Sequence, residues 1–474
     1  MTLFDALFRR KSPRAIAVDE HDGAPRLART LGAFDLTLLG IGAIIGAGLF
    51  SSIQEMVAGR VNPDGTVAMF GAGPSVMLSY LLTAIACGFA ALCYAEIAAM
   101  TPVSGSAYSY SYAAFGELVA WIIGWDLIIE YAIGNVYVAQ KWGAYFQTFL
   151  NDGFGVRLPV WLTTDVQTAG AMAADASHPG WENWKKLLAP GETLDVASAF
   201  PQLAGHTFSF HLPGFAITLL LTWLLFRGIK ESARANAFMV VLKLGLVATF
   251  IGCGFWTILR KGENHWTPFM PNGFTGVWHG AALGFFSYIG FDAVSTAGEE
   301  TKNPQKDMPR GLLWSLGICT VLYVLTAAAL TGVVDYKTLT TDDPLAAAMK
   351  RMGFENFSTL FAFGAVVAMT AVLLVFQLGQ TRIFMVMSRD GLLPPLFSRI
   401  HPRFKTPHFS TWITGLVVAL SCSILTPSQA IGLCNIGTLF AFILVSLGVI
   451  VLRKREPDLA RPFRVPFYPL TPIL

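Results

Sequence analysis

Charge is what this chain has least of. Only 13% of its 474 residues are Asp, Glu, Lys or Arg, while 54% are apolar; an ordinary soluble domain carries about 25% charged residues. A mean hydropathy of +0.55 over the whole length is too high to be hidden in one core, so most of the surface must face lipid. That excludes a soluble enzyme, a nucleic-acid binder and a disordered scaffold. The 33 basic residues nearly balance the 30 acidic ones, and a net charge of +3 therefore names no partner. Cysteine is equally reticent: Cys87, Cys93, Cys253, Cys319, Cys422 and Cys434 all fall within apolar stretches and outline no disulfide framework. H-E-x-x-H and G-x-S-x-G sequences are missing, and the intramembrane acids form no metal-ligand cluster. The sequence thus predicts neither an enzyme nor a metal or cofactor site. An early apolar run is missing too. The first begins near Ala33, too late and too long for a cleavable signal, so residues 1–30 read as a cytoplasmic tail.

What is present is a series of apolar stretches long enough to cross a bilayer as helices. They lie near 33–53, 74–100, 113–146, 212–229, 235–258, 275–298, 311–333, 357–381, 409–426 and 430–452. With the N-terminus inside, 22 of the 33 lysines and arginines fall on the inner side and nine outside, as the bias of short cytoplasmic loops requires. Lys141 and Lys243 are left within spans. The long connection at about 147–211 lies outside and reads as a cover or an ornament, with Trp161, Trp181 and Trp184 as candidate interface anchors.

The chemical signal is a pair of interrupted spans. The first holds Gly40, Gly42, Gly46 and Gly48 within twelve residues, and each glycine weakens a helix by about 1 kcal/mol relative to alanine. Two readings fit: close helix packing, which small residues three or four apart allow, or a functional break. The sixth span is interrupted as well, by Gly290 and the ionisable Asp292. Broken segments at corresponding positions of two halves mark a transporter site, where half-helix amides meet an anion and freed carbonyls meet a cation. A zwitterionic amino acid presents both charges. Lys243, in Val240-Val-Leu-Lys-Leu-Gly-Leu246, is an intramembrane lysine and by default functional, able to gain and lose a proton; the alternative is snorkelling to the inner interface. Glu130 is similarly deep in the third span, as a functional acid or one satisfied by neighbouring helices, and Asp126, a turn earlier, reads as structural.

Four stretches carry a resemblance. They are Gly40-Ile-Gly-Ala-Ile-Ile-Gly-Ala-Gly-Leu-Phe50, residues 94–108 (YAEIAAMTPVSGSAY), residues 288–304 (YIGFDAVSTAGEETKNP) and residues 379–394 (GQTRIFMVMSRDGLLP). In these the chain resembles the amino acid/polyamine/organocation transporter superfamily, and within it the cationic amino acid transporter branch in its bacterial form. The resemblance implies an all-α integral membrane protein with a LeuT-like fold: two five-helix inverted repeats, at about 31–258 and 275–452, with broken first and sixth helices. It also implies alternating access in a bacterial cytoplasmic membrane, with an amino acid, protons and membrane lipids as partners.

By the same resemblance the substrate carboxylate meets the amides of Gly46, Ala47 and Gly48. The substrate amine meets carbonyls near Ile44, Phe286, Ser287 and Ile289, under an aromatic gate at Phe286. Lys243 takes the place of a sodium ion near the carbonyls of Ile41 and Gly42 and couples transport to protons. Glu130 faces a cationic side chain, Asp292 lies just beyond the broken sixth helix, and Glu96, Glu299 and Glu300 belong to inner gating and packing. Two departures stand out. Lys141 replaces a small or neutral residue, and residues 453–474 form an inner tail that stops where an eleventh span would begin, so that either the sequence is truncated or the peripheral helices are absent. Proton symport is the leading expectation; an exchanger without proton coupling, a sodium symporter and a non-transporting amino acid sensor are the rivals, and Thr370, which can supply an oxygen in either coupling scheme, does not discriminate between proton and sodium.

Overall fold

Hydrocarbon offers a backbone no hydrogen-bond partners, so a chain this apolar must satisfy its amides and carbonyls within helices. The computed structural model describes residues 8–11, 29–61, 66–176, 178, 180–185, 199–203, 206–262, 264–339 and 344–474. Most of the expected cytoplasmic tail, with Arg14 and Arg26, and Lys186 of the long connection lie outside the described residues.

Among the described residues, ten helical segments correspond to the ten expected spans. The first is Ala33–Ile44, continued after a break by a π-helical turn at Gly48–Ser52 and by Ile53–Ala58. Then come Val76–Met100, Glu117–Phe154, Leu212–Arg227 and Ile229–Lys261. The sixth is Gly273–Tyr288 with a 3-10 stretch at Asp292–Glu300, followed by Pro304–Val333, Glu355–Arg389, His408–Ser421 and Pro427–Arg455. Among the described residues, seven are long and apolar enough to cross a membrane, the fourth and ninth are shorter apolar helices, and the sixth is divided by its break. The expected third span, 113–146, starts late because Gly116, at φ +110°, separates Ser106–Ala114 from the long helix that follows.

Packing repeats with an offset of five. Second against seventh, third against eighth and fourth against ninth are contacts that such an offset maps onto themselves. First against seventh is matched by sixth against second, fifth against eighth by tenth against third, and fifth against seventh by tenth against second. Two interlocked five-helix repeats produce this pattern, and the two short helices stand at the same place in each. The fold is the LeuT-like one, with its first and sixth helices broken.

The long connection is a small unit of its own. Trp181, rather than anchoring at an interface, is fully buried in a cluster with Val160, Ala169, Met172 and Phe200. The unit is tied to the end of the ninth helix, where the Ser423 carbonyl accepts from the Val166 amide at 2.8 Å and the Ser423 hydroxyl from the His211 amide at 2.9 Å. At the other end of the bundle, residues 456–474 fold back onto the second and tenth helices instead of leaving as a free tail.

Gly290 shows how narrowly the sixth break is built. Its φ is +112°, and an added Cβ would lie 2.8 Å from Ala43 Cβ on the broken first helix. Such backbone strain costs about 1–3 kcal/mol for a residue with a side chain. Gly290→Ala should therefore lower the midpoint of thermal unfolding in detergent, while Gly252→Ala, where an added Cβ meets nothing within 4 Å, should not.

Candidate substrate and coupling site

The glycines of the first segment divide between the two readings that the sequence leaves open. An added Cβ at Gly40 would press on Ser315 and Val294, and at Gly42 on Asn236, so these two let the fifth, sixth and seventh helices approach. At Gly46 the obstacle is Val372, and at Gly48 it is the backbone of Ser287 in the sixth helix. The two breaks thus touch through a residue that has room for no side chain.

Between the half-helices of the first segment the chain is extended at Ile45, with φ −78° and ψ +101°. The second half begins when the Leu49 and Phe50 amides both donate to the Gly46 carbonyl at 3.0 Å. The amides of Gly46, Ala47 and Gly48 precede that first closed turn, and the leading amides of a helix have no intrahelical acceptor and favour an anion. All three residues are buried, as an anion seat between broken helices requires.

The carbonyls released on the other side of the break already have partners. Lys243 is fully buried, and its ammonium donates to the carbonyls of Gly42 at 2.9 Å and Ile45 at 2.8 Å. Ile41 is not among its acceptors: that carbonyl closes the last turn of the half-helix by accepting from the Ile45 amide at 3.1 Å. The partner is therefore one turn further on, where the helix has stopped and a carbonyl is free. The snorkelling alternative for Lys243 is set aside by this geometry. Two turns earlier on the same helix Asn236 donates to the Leu38 carbonyl at 3.3 Å, so the fifth helix holds the first along its length.

Tyr323 of the seventh helix was not found from sequence. Its hydroxyl lies 2.8 Å from the Ile44 carbonyl oxygen and 2.7 Å from that of Ser287, one from each break. A hydroxyl has one proton, so it donates to one of these acceptors at a time. Only its position among apolar neighbours at mid-span hinted at a partner, since a buried tyrosine hydroxyl usually finds one. Phe286 is buried, with its ring edge-on to Tyr137 at a centroid distance of 4.9 Å. The Ile289 amide donates to the Phe286 carbonyl at 3.3 Å.

The acids separate into two kinds. Asp292 is braced, accepting from the Tyr131 hydroxyl at 2.7 Å and the Gly290 amide at 3.2 Å; both of its oxygens serve the break itself rather than standing free for a ligand. Glu130 is 1% exposed, and neither of its carboxyl oxygens has a partner among the described residues. The Thr438 hydroxyl, beside it on the tenth helix, donates to the Cys434 carbonyl at 3.0 Å instead. Lys141, half-buried, stands 6.0 Å from the centroid of the Tyr137 ring. Thr370 donates to the Val366 carbonyl and accepts from the Trp142 indole, so its oxygen is already engaged.

Glu96, Glu299 and Glu300 lie at one end of the bundle, each paired with arginine. Glu300 binds Arg382 at 2.6 Å with both side chains buried, and Glu299 binds Arg389 at 3.0 Å. Glu96 gathers Arg453 of the tenth helix, Arg461 at 3.5 Å and the Val465 amide at 2.6 Å, which is what folds the C-terminal segment back. The Glu300 carbonyl also accepts from the amides of Thr30 and Leu31, tying the entry to the first helix to the exit from the sixth.

Comparison with known proteins accords with these features. A family model described as amino acid permease matches residues 31–474. The chain belongs to that family. Among relatives of this permease, the branched-chain amino acid permease BcaP of Bacillus subtilis (strain 168) is 44% identical over 98% of this chain and 90% of its own. The methylthioribose transporter of the same organism is 42% identical over 99% and 90%. The vacuolar cationic amino acid transporter 4 of Arabidopsis thaliana is 34% identical over 96% of this chain and 68% of its own. The crystal structure of MhsT in complex with L-phenylalanine shares the fold, with a TM-score of 0.59, 13% identity and coverage of 95% and 98%.

The double role of the Tyr323 hydroxyl is testable on stability. Tyr323→Phe strands at least one buried carbonyl, at a cost of about 1–3 kcal/mol. Its thermal unfolding midpoint should fall, while Tyr336→Phe, a half-buried site near the far end of the same helix, should leave it unchanged.

Proposed function

We propose that this permease is a proton-coupled amino acid symporter of a bacterial cytoplasmic membrane, working by alternating access with its N-terminus inside. The observation that carries the reading is the buried Lys243 ammonium on the Gly42 and Ile45 carbonyls. A cation is needed there, because carbonyls freed in a low-dielectric interior attract one. An ammonium fills the seat with a charge the protein itself supplies, and that charge repels a sodium ion from the same carbonyls. Unlike sodium, it can be discharged by losing a proton, which releases its hold on the first helix.

In this reading the substrate carboxylate binds the amides of Gly46, Ala47 and Gly48, and its amine competes with the Tyr323 hydroxyl for the Ile44 and Ser287 carbonyls, close to Phe286 and Ile289. Phe286 and Tyr137 form the gate. The pairs made by Glu96, Glu299 and Glu300 close the inner end and must separate for release. Glu130, the acid without a donor, is the group that a cationic side chain would meet, while Asp292 keeps the break in shape. The inner assignment follows from the basic residues collected there, Arg382, Arg389 and Arg453. The 22 to 9 distribution of basic residues supports the N-terminus-inside orientation. Transport of amino acids by the relatives supports the substrate class, and the apolar surroundings of Phe286 favour an apolar side chain.

The test is uptake of labelled leucine, alanine and arginine into sodium-free proteoliposomes, with and without an inward proton gradient. The expected result is accumulation that collapses with an uncoupler and is lost in Lys243→Ala, although that variant still binds substrate. Gradient-independent uptake driven only by preloaded amino acid would make the protein an exchanger and Lys243 a fixed structural charge. Accumulation of arginine that disappears in Glu130→Gln, with leucine unaffected, would assign the unpartnered acid to a cationic side chain.

A further inference from the structure

Away from the transport site, the start of the seventh helix forms a cavity of about 230 Å³ against the returning C-terminal segment. Its walls include Lys306, Arg310, Leu313 and Trp314 on the helix and Pro462 and Phe463 opposite. The far wall is fixed in place, since Arg461 reaches the Leu452 carbonyl at 3.1 Å and the Val465 amide is held by Glu96. Lys306 and Arg310 are both exposed, and the side chain of neither has an ion pair or hydrogen bond among the described residues. The acid between them, Asp307, is turned to the buried side of the helix. Two cations thus flank a preformed cavity whose remaining walls are largely apolar.

The depth of the cavity can be read from helix length. The seventh helix has 30 residues, about 45 Å at 1.5 Å per residue, which matches a bilayer of about 40–45 Å with its headgroup layers around a core of about 30 Å. Roughly the first five residues therefore lie among headgroups. Lys306 falls in that layer, Arg310 at its edge, and Trp314, 63% exposed, about one turn further on, where the helix faces acyl chains. The exposed stripe continues through Gly317, Val321 and Leu325, at helical spacings of three and four. At Gly317 an added Cβ would meet nothing within 4 Å, so the stripe has a gap between Trp314 and Val321 wide enough for a hydrocarbon chain to lie against the backbone.

We propose that this cavity binds an anionic phospholipid. The phosphodiester headgroup sits between Lys306 and Arg310, near the positive end of the helix dipole, and an acyl chain runs along the stripe past Trp314 and Gly317. Basic pockets between membrane helices are suited to such headgroups, and the continuous apolar stripe distinguishes a lipid from a free phosphate, which would use only the two cations. By its contact with the seventh helix and with the segment held by Glu96, the lipid braces the inner end of the helix that carries Tyr323.

Native mass spectrometry of the full-length protein, titrated with phosphatidylglycerol or phosphatidylcholine, tests the site. At about 1 kcal/mol per basic residue, K306Q/R310Q should lower the affinity for phosphatidylglycerol about thirtyfold and leave the weaker phosphatidylcholine binding unchanged. R399Q/R403Q, which removes two other basic residues, should leave both unchanged. Filling the gap with Gly317→Leu should also weaken phosphatidylglycerol binding without altering charge. Equal losses in the two double variants would overturn the proposal in favour of diffuse surface attraction. Complete displacement of the lipid by millimolar inorganic phosphate, or indifference to both K306Q/R310Q and Gly317→Leu, would also overturn it.

Discussion

A helix that stops in the middle of a membrane leaves amides and carbonyls that no water can satisfy, and the rest of this architecture answers that one constraint. Each stranded group costs about 1–3 kcal/mol, so two breaks side by side are sustained only where neighbouring helices supply partners. Here the fifth helix supplies an ammonium, the seventh a hydroxyl and the third a second hydroxyl through Asp292. The three come from different helices and converge on Ile44, Ile45, Ser287 and Gly290. The breaks are therefore a property of the bundle rather than of the two glycine-rich sequences alone.

The two breaks are not satisfied in the same way, and the difference bears on function. At the sixth helix the partners are local or neutral: Asp292 accepts from the Gly290 amide two residues away, and the Tyr131 hydroxyl completes it. At the first helix the partner is a charged side chain reaching from another segment. Asp292 braces the sixth break from within its own segment, whereas part of the hold on the first rests on an ammonium from the fifth helix and lasts only while that ammonium is protonated. If one break is to be fixed and the other conditional, this is the arrangement expected, with the conditional one on the helix whose entry is tied to Glu300 at the ion-paired end.

Much of this was legible in the sequence. Apolar length located the segments, because a bilayer imposes one length on every helix, and glycine density with an intramembrane acid located both breaks. The five-span separation of the two breaks pointed to two halves, and the resemblance implied the same five-helix repeats. What was not legible depends on which faces meet. Lys243 and its Gly42 acceptor are legible in the sequence, while the second acceptor lies one turn beyond the expected Ile41, because the last intrahelical bond of the first half-helix uses the Ile41 carbonyl and leaves that of Ile45 free. Tyr323, Tyr131 and Asn236 went unnoticed since a polar residue on an apolar helix gives no sign of which neighbour it will reach. Trp181 looked like an interface anchor because exposure is not written in composition; its burial follows from the separate small core of the long connection.

Glu130 and Asp292 show why an acid's sequence position says less than its supply of donors. Both are fully buried acids near the breaks, and both were read as binding residues. Asp292 already has a donor on each oxygen, so a ligand there would share those oxygens with the Tyr131 hydroxyl and the Gly290 amide. Glu130 has none among the described residues, so a ligand that offered it a donor would displace none of them. A buried carboxyl is therefore available for recognition to the extent that the fold leaves it unserved, and of this pair only Glu130 meets that condition. The helix that carries it also carries Tyr137 against Phe286, two turns away, so a donor that reached Glu130 would bear on that ring pair through a single rigid element.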